Sequence, residues 1–378
     1  MQYVIKPESY YDNASERLAT HACAVPFQSY EIHRDGHLTL CCQTWLPTHV
    51  GNLLTQTAEE VLNNIERVRI QHNMRKGNFS DCNDKCPQLS SFLHKNDKKF
   101  HWSITPIEEL DRTINRQPII VFLSYDASCN LQCPSCRDGL IVWHPNDPKD
   151  SEGQQALKIH NNAKELIALL VKQNPRKEIV LSITGTGDPF ASPLFWEYLV
   201  ELSQNPIPPN LRITLQTNGV MMTKENWEEI KPLWRHLYYV NVSVDAATEE
   251  TYKIVRKNGS FKKLQKNLVV LDEMITAGCF PNLLNWQTNM VVQKANYKEL
   301  KSFVGWMLSF KSQPEIWTNL IAQWFHINDD QFKTMAIWQD NNPGKEELIE
   351  ILKDPIFLNR RVRLGTLNLF LPKNSKNN

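Results

Sequence analysis

Short runs rich in Val, Ile and Leu recur along the middle of the chain. Each is followed by a stretch whose apolar residues return every three to four positions. The first run, Pro118 to Ser124, is continuously apolar, as expected of a strand buried on both faces. Asn162 to Lys172 is predicted helical, with Ala163, Leu166, Leu169 and Leu170 periodic. Glu178 to Thr184 is a predicted strand ending in Gly185-Thr186-Gly187, and Leu194 to Ser203 a helix. Leu211 to Gln216 is a strand ending in Thr217-Asn218-Gly219, and Lys224 to Leu237 a helix. Tyr239 to Val244 is a strand, and Thr248 to Gly278 holds two helices parted near Asn258-Gly259. Leu284 to Val292 is a strand, Tyr297 to Phe310 a helix and Ile316 to Trp324 a last strand. Six strands with intervening helices predict an α/β protein with a parallel sheet, open or curled into a partial barrel. In such a sheet the chemistry sits on loops at the C-terminal ends of the strands.

The flanks read differently. The first hundred residues are polar and irregular, with short strand-like pieces about Arg34-Asp35-Gly36, a hairpin signal. A single helix is predicted over Ala58 to Met74, with Val61, Leu62, Ile65, Val68 and Ile70 on one broad apolar face. The tail has a helix near Lys345 to Leu352 and a basic, Asn-rich end. The expected division is a small N-terminal domain over 1–110, the repeating βα domain over 111–327 and an extension over 328–378.

Composition narrows the function. The chain has 378 residues and a formal net charge of +1. That balance gives no electrostatic case for nucleic acid or an anionic membrane surface. No apolar run approaches the roughly 18 residues needed to span a bilayer. The start, Met1-Gln2-Tyr3-Val4-Ile5-Lys6-Pro7, lacks the blocks of a signal peptide, so a cytoplasmic protein is expected. Thiols stay reduced there, and the nine cysteines need a use other than disulfides. Eight of them lie in the first 136 residues.

Three follow the first βα strand: Ser128-Cys129-Asn130-Leu131-Gln132-Cys133-Pro134-Ser135-Cys136. Thiols at this spacing can converge on one soft metal centre: zinc, copper(I) or an iron–sulfur cluster. Three ligands leave a fourth position open, the mark of a catalytic metal. A structural zinc loop completed by His144 or Asp126 is the alternative. The Cys-x3-Cys-x2-Cys loop directly after the first strand resembles that of the radical S-adenosylmethionine (SAM) superfamily, over about 118 to 325. The resemblance implies a partial (β/α)6 barrel, with Cys129, Cys133 and Cys136 holding a [4Fe–4S] cluster. Its fourth iron binds SAM, whose reductive cleavage gives a 5′-deoxyadenosyl radical that abstracts hydrogen from a substrate. Gly185-Thr186-Gly187-Asp188-Pro189 resembles the family's Gly-Gly-Glu-Pro segment, which receives the amino group of SAM. Here Thr186 and Asp188 depart from the pattern. Thr217, Asn218, Ser243 and Asp245 match further cofactor-binding turns. Arg256 is either a partner of the SAM carboxylate or a solvated helix charge.

Cys23 and Cys41, with Gly36 between them at Cys-x12-Gly-x4-Cys, and Cys82-x3-Cys86 resemble auxiliary-cluster domains called SPASM or twitch. The resemblance implies that these four thiols saturate a second [4Fe–4S] cluster, with structural zinc as the alternative. Cys42 and Cys279 are left over, as a spare thiol and a buried one, or as hydrogen-atom donors. Enzymes similar in these features modify ribosomally made peptides. The implied activity is hydrogen abstraction from a peptide, most narrowly Cα L-to-D epimerisation. Peptide crosslinking, the same chemistry on a sugar or small metabolite, and a zinc-binding interaction module are the alternatives. The implied partners are a peptide and a one-electron donor such as flavodoxin or ferredoxin. Candidate peptide-recognition segments are the first 20 residues and the tail. Trp317, Trp324, Phe325 and Trp338 are candidates for a pocket, or for core.

Overall fold

The computed structural model describes residues 14–84, 86–93, 103–183, 185–323, 327–339 and 342–371. The first 13 residues, Trp324, Phe325 and the end of the tail lie outside them. The chain divides into two compact units.

The first unit comprises Met1–Asp126, Trp143–Thr186 and Ile207–Arg212. It contains β1 (His21–Cys23), β2 (Ser29–Ile32), β3 (Leu38–Thr39), β4 (Ile104–Pro106), β5 (Ile119–Leu123) and β6 (Ile179–Ile183). Its helices are α1 (Ala14–Ala19), α2 (Ala58–Leu62), α3 (Ile65–Arg75), α4 (Pro87–Leu93), α5 (Leu110–Arg116) and α6 (Ser151–Gln173). The Arg34-Asp35-Gly36 turn forms the expected hairpin, with β2 and β3 antiparallel and Gly36 at φ +80°. The other edge of β2 pairs in parallel with β5, Tyr30 opposite Val121, and β5 pairs in parallel with β6. The N-terminal hairpin therefore continues the sheet of the βα repeat, which its polar sequence does not announce.

The single helix expected over 58–74 is two. Thr57 opens α2 with a capping box to Glu60, and Asn63 ends it. Asn64 then caps α3, its side chain accepting from Glu66 N at 2.9 Å. Two adjacent asparagines bond the backbone locally and so favour caps over helix interior. The break rotates the apolar face: Val61, Leu62, Ile70 and Met74 are buried, but Ile65 is 74% and Val68 48% exposed. Helix α6 starts eleven residues before the expected Asn162, where Asp150 accepts from Gly153 N at 2.9 Å. Its early turns are mostly polar, and Gly153, Ala156, Ile159 and His160 carry the buried stripe there.

The second unit comprises Ala127–Val142, Gly187–Pro206 and Ile213–Asn378. Strands β7 (Leu211–Thr217, in this unit from Ile213), β8 (Leu237–Ser243), β9 (Asn285–Val292), β10 (Glu315–Leu320) and β11 (Val362–Arg363) lie in that order, all parallel. The helices are α7 (Pro193–Gln204), α8 (Lys224–Glu229), α9 (Glu249–Val255), α10 (Phe261–Thr276), α11 (Leu300–Leu308), α12 (Asp329–Met335) and α13 (Gly344–Ile351). The helix expected over Lys224–Leu237 ends at Glu229. A 3-10 segment over Lys231–His236, with Pro232 near its start, leads directly into β8. The two-residue β11 is too short to give a sequence signal. Alternate strand residues are buried against the helices, among them Ile213, Leu215, Val240, Val242, Met290 and Ile316. Among the described residues no helix is long and apolar enough to cross a membrane.

Candidate metal centres

The Cys129–Cys136 loop belongs to the second unit. Cys129 and Cys133 are buried and Cys136 is exposed. The loop is tied by backbone bonds at both ends: Cys129 N donates to Ile141 O at 2.8 Å and Gln132 N to Lys257 O at 2.9 Å. Its three sulfurs each receive N–H donors. Leu131 N lies 3.4 Å and Asn218 Nδ2 3.6 Å from Cys129 Sγ. Arg256 Nη1 is 3.6 Å from Cys133 Sγ, and Arg137 Nη2 is 3.6 Å from Cys136 Sγ. Burial pushes the Cys129 thiol up to about 11, with Asp188 adding to the rise and Arg137 opposing it. Burial likewise raises Cys133, against the pull of Arg256. Such thiols ionise when a metal supplies the compensating charge.

Around the loop stand Asp188, Asn218 and Asp245, just beyond the ends of the following strands, and Arg256 at the end of α9. Asp188 is buried; its Oδ2 accepts from Thr217 Oγ1 at 2.9 Å and Asn218 N at 2.7 Å, and its Oδ1 from Phe190 N at 3.0 Å. It therefore fixes the Thr217-Asn218-Gly219 turn, whose Asn218 also donates to Asn130 Oδ1 at 2.8 Å. Asp245 follows β8 at φ +64°, a left-handed conformation that Asp tolerates and that clusters at functional sites. Its carboxylate pairs with Arg256 at 2.7 Å and accepts from Val291 N at 2.7 Å. Arg256 is 13% exposed and Asp245 2%, so Arg256 is not a solvated helix charge. It closes α9 as its C-cap, which sets the guanidinium between Asp245 and Cys133. Burial works against its charge, yet Asp245 and Cys133 hold its pKa above the usual arginine value. Tyr252 Oη and Arg256 Nε are buried without a partner among the described residues.

Gly185 and Thr186 lie in the first unit. Gly185 has φ +107°, and a Cβ there would meet Ser124 Oγ at 2.9 Å. Thr186, which stands where the motif has glycine, donates through Oγ1 to Ser124 O at 3.1 Å and Asp126 O at 2.8 Å. The hydroxyl fastens the end of β6 to the end of β5. Ser243 is half-buried at the end of β8, opposite Asn289.

The second centre lies wholly within the first unit. Cys23 ends β1, Cys41 follows β3, and Cys82 and Cys86 precede α4. All four line one small cavity of about 30 Å³, with Trp45, Leu46, Phe79 and Ile104. Cys42 is exposed, so of two adjacent cysteines Cys41 faces the cavity. Burial raises Cys23 to about 11 and Cys82 to about 12. Burial also raises Cys41, and the charges of Cys23, Cys86, Cys42 and Cys82 add to the shift. Among the described residues no three Cys, His, Asp or Glu side chains converge on one ion. The four thiols line this one cavity together.

Cys279 follows α10 and precedes β9, its N–H bonded to Met274 O at 3.0 Å. It lies six residues before an eight-residue strand, roughly 25 Å long, whose far end carries Val291 beside Asp245. Trp317 is half-buried and donates to Glu315 Oε2 at 3.1 Å, while Trp338 packs on Phe332 at 5.6 Å. Trp324 and Phe325 lie outside the described residues. Sequence reasoning missed Arg137, whereas Asn267 lies in a helix whose sequence resembles that of the peptide-modifying branch. Arg137 is buried, its Nη1 donating to Ala127 O at 2.7 Å. Asn267 donates to Gly219 O at 2.8 Å and Val220 O at 3.0 Å, anchoring that turn to α10. An arginine directly after the third cysteine was the available signal for the first.

Comparison with known proteins agrees with this construction. Residues 127–305 match the Radical SAM superfamily, and residues 23–87 match the SPASM iron–sulfur cluster-binding domain. A GTP 3′,8-cyclase of Petrotoga mobilis (strain DSM 10674 / SJ95) is 24% identical over 234 residues, 58% of this chain. The match spans 66% of that relative's length, just under two thirds. The structure of TYW1 with a lysine-pyruvate adduct bound aligns over 65% of this chain and 74% of that one. Its identity is 14% and its TM-score 0.35, too partial a likeness for comparing sites. The two domains imply SAM, a [4Fe–4S] cluster and a further iron–sulfur cluster. The chain carries a radical SAM domain over residues 127–305, with a SPASM cluster-binding domain ahead of it over residues 23–87.

Proposed function

We propose that this enzyme abstracts a hydrogen atom from a peptide, with Cys129, Cys133 and Cys136 holding the catalytic [4Fe–4S] cluster. Cys23, Cys41, Cys82 and Cys86 hold the auxiliary one. The supporting observation is the donor set at the three-cysteine loop: each sulfur has an N–H neighbour, and Arg256 stands between Cys133 and Asp245. Hydrogen bonds to cluster sulfurs tune their potential, and partners of this kind orient ligands. When bound, the cluster and SAM together supply one-electron cleavage of a sulfonium C–S bond and a 5′-deoxyadenosyl radical.

The chain's own residues have separable tasks. Asp188 and Asn218 hold the turn beside Cys129. Gly185 and Thr186, in the first unit, are proposed to receive the amino group of SAM; Thr217, Ser243 and Asp245 form a proposed cofactor surface within the second unit. Arg256 balances the charge of Asp245 and polarises Cys133. The division into an auxiliary domain over 1–110, a catalytic domain over 111–327 and an extension over 328–378 is part of the same reading. So are a cytoplasmic location and an external donor such as flavodoxin or ferredoxin.

The narrowest form of the proposal is Cα epimerisation, with Cys42 or Cys279 returning the hydrogen. Anaerobic incubation with reductant, SAM and a candidate precursor peptide in deuterated water tests it. A gain of about one dalton per site is expected for epimerisation, and a loss of about two marks crosslinking or oxidation. Product unchanged by alanine at both Cys42 and Cys279 removes the donor assignment. Two tightly bound zinc ions, without the broad absorbance near about 400 nm of iron–sulfur, remove the cluster reading.

A further inference from the structure

Strands β7–β11 have two faces of different character. One packs on helices: a Cβ on Gly219 would meet both Val242 and Leu264 of α10, and Trp286 meets Phe310, just beyond α11, edge-on at 5.7 Å. The opposite face carries side-chain amides in register. Gln216 lies opposite Asn241, Asn241 opposite Gln287, and Gln287 opposite Glu315. In the next row Asn289 stands between Ser243 and Trp317. Asn289 Nδ2 donates to Asn241 Oδ1, which joins the rows. Glu315 closes the end, accepting from Trp317 Nε1 at 3.1 Å and Arg363 Nη2 at 3.2 Å. The side chains of Gln216 and Gln287 are half-buried and have no hydrogen-bond partner among the described residues.

We propose that this row is a subsite for an uncharged, amide-bearing substrate segment, with Gln216 and Gln287 as specificity-determining residues. The proposal rests on the peptide reading above and names what the peptide would meet. A primary amide offers two donors and a carbonyl acceptor, the complement of a peptide group's C=O and N–H. Four residues on neighbouring strands, about 4.8 Å apart, span roughly 14 Å, the length of about four extended residues. The row lies close to the cofactor surface, since Asn289 O accepts from Val244 N at 3.0 Å and Asp245 N at 3.3 Å. Charge argues in the same direction. Arg363, the cation of these rows, is already paired with Glu315 at 3.2 Å. A triphosphate would need unpaired Arg or Lys there.

The test uses the full chain, loaded anaerobically with iron and sulfide, SAM and reductant. The probes are a pool of N-acetylated, C-amidated tetrapeptides and, separately, GTP. The readout is 5′-deoxyadenosine formed above the rate without probe. The pool is expected to stimulate and GTP not. Gln216→Leu and Gln287→Leu should each raise the half-saturating peptide concentration about tenfold, the worth of one lost hydrogen bond. Iron content and melting temperature check each variant, and the isosteric Gln287→Glu serves if leucine impairs loading. If the pool stimulates and the variants respond like the parent, the subsite is wrong while the peptide reading stands. Stimulation by GTP in place of the pool, or by neither probe, overturns both.

Discussion

Arg256→Met removes one partner of a buried ion pair. Asp245 is 2% exposed, and after the substitution its carboxylate keeps the Val291 N–H at 2.7 Å but no cation. Breaking one side of such a pair costs about 3–5 kcal/mol, because the other charge stays buried. At about 2–4 °C per kcal/mol for a large cooperative unit, the melting temperature should fall by about 6–20 °C. The loss has a pH signature. Burial holds the Asp245 carboxyl above the usual carboxylate range, against the attraction of Arg256. A carboxyl raised in the folded state adds stability below its unfolded pKa and loses it as pH rises through the folded pKa. Without Arg256 the folded pKa climbs further. The deficit relative to the parent should therefore be largest near about pH 8 and shrink toward about pH 5. The Asp245→Asn/Arg256→Met double variant should recover much of it, since no unpaired charge remains. Thermal melts of the anaerobic, cluster-loaded proteins across that range decide. A fall under about 2 °C, or one that widens toward low pH, refutes the assignment of a buried, mutually dependent pair.

Cys133→Ala should abolish 5′-deoxyadenosine formation and remove about four irons per chain, read by product chromatography and iron analysis. Cys82→Ala should lose a similar amount of iron from the other centre and keep part of the SAM cleavage. Gly185→Ala should cost about 1–3 kcal/mol, because φ +107° and a contact of 2.9 Å to Ser124 Oγ both oppose a Cβ. Gly139→Ala, with nothing within 4 Å, should stay within about 0.5 kcal/mol in the same denaturant titration. Ile65→Lys should be similarly silent, since that side chain is 74% exposed.

The six βα strands and the loop after the first of them were legible because their signals are local. β5 and β6 are near-continuous apolar runs, β7 to β10 alternate apolar with polar residues, and glycine after β6 and β7 marks the turn. The paired helices about Asn258-Gly259 followed from the same rule, and Asn258 does adopt φ +69°. The helix over 58–74 misled because Ile65 and Val68 continue the apolar period while Asn63-Asn64 breaks the backbone beneath it. Arg256 left two readings open because one sequence position cannot state its own burial. The β2–β5 pairing joins residues about ninety positions apart, and nothing near Tyr30 encodes its neighbour.

What the sequence determined by itself was the order of elements and the spacing of the thiols, since each depends on residues within a few positions of one another. The tertiary structure decided which residues share a space. It turned Cys41 rather than the adjacent Cys42 toward the four-thiol cavity and set Arg256 between Asp245 and Cys133. It also aligned Gln216, Asn241 and Gln287 from three separate strands into one row. The physical reason is common to all three. Burial and register are properties of neighbours brought together by the fold, so identical or widely separated residues acquire different chemistry only once the chain is packed.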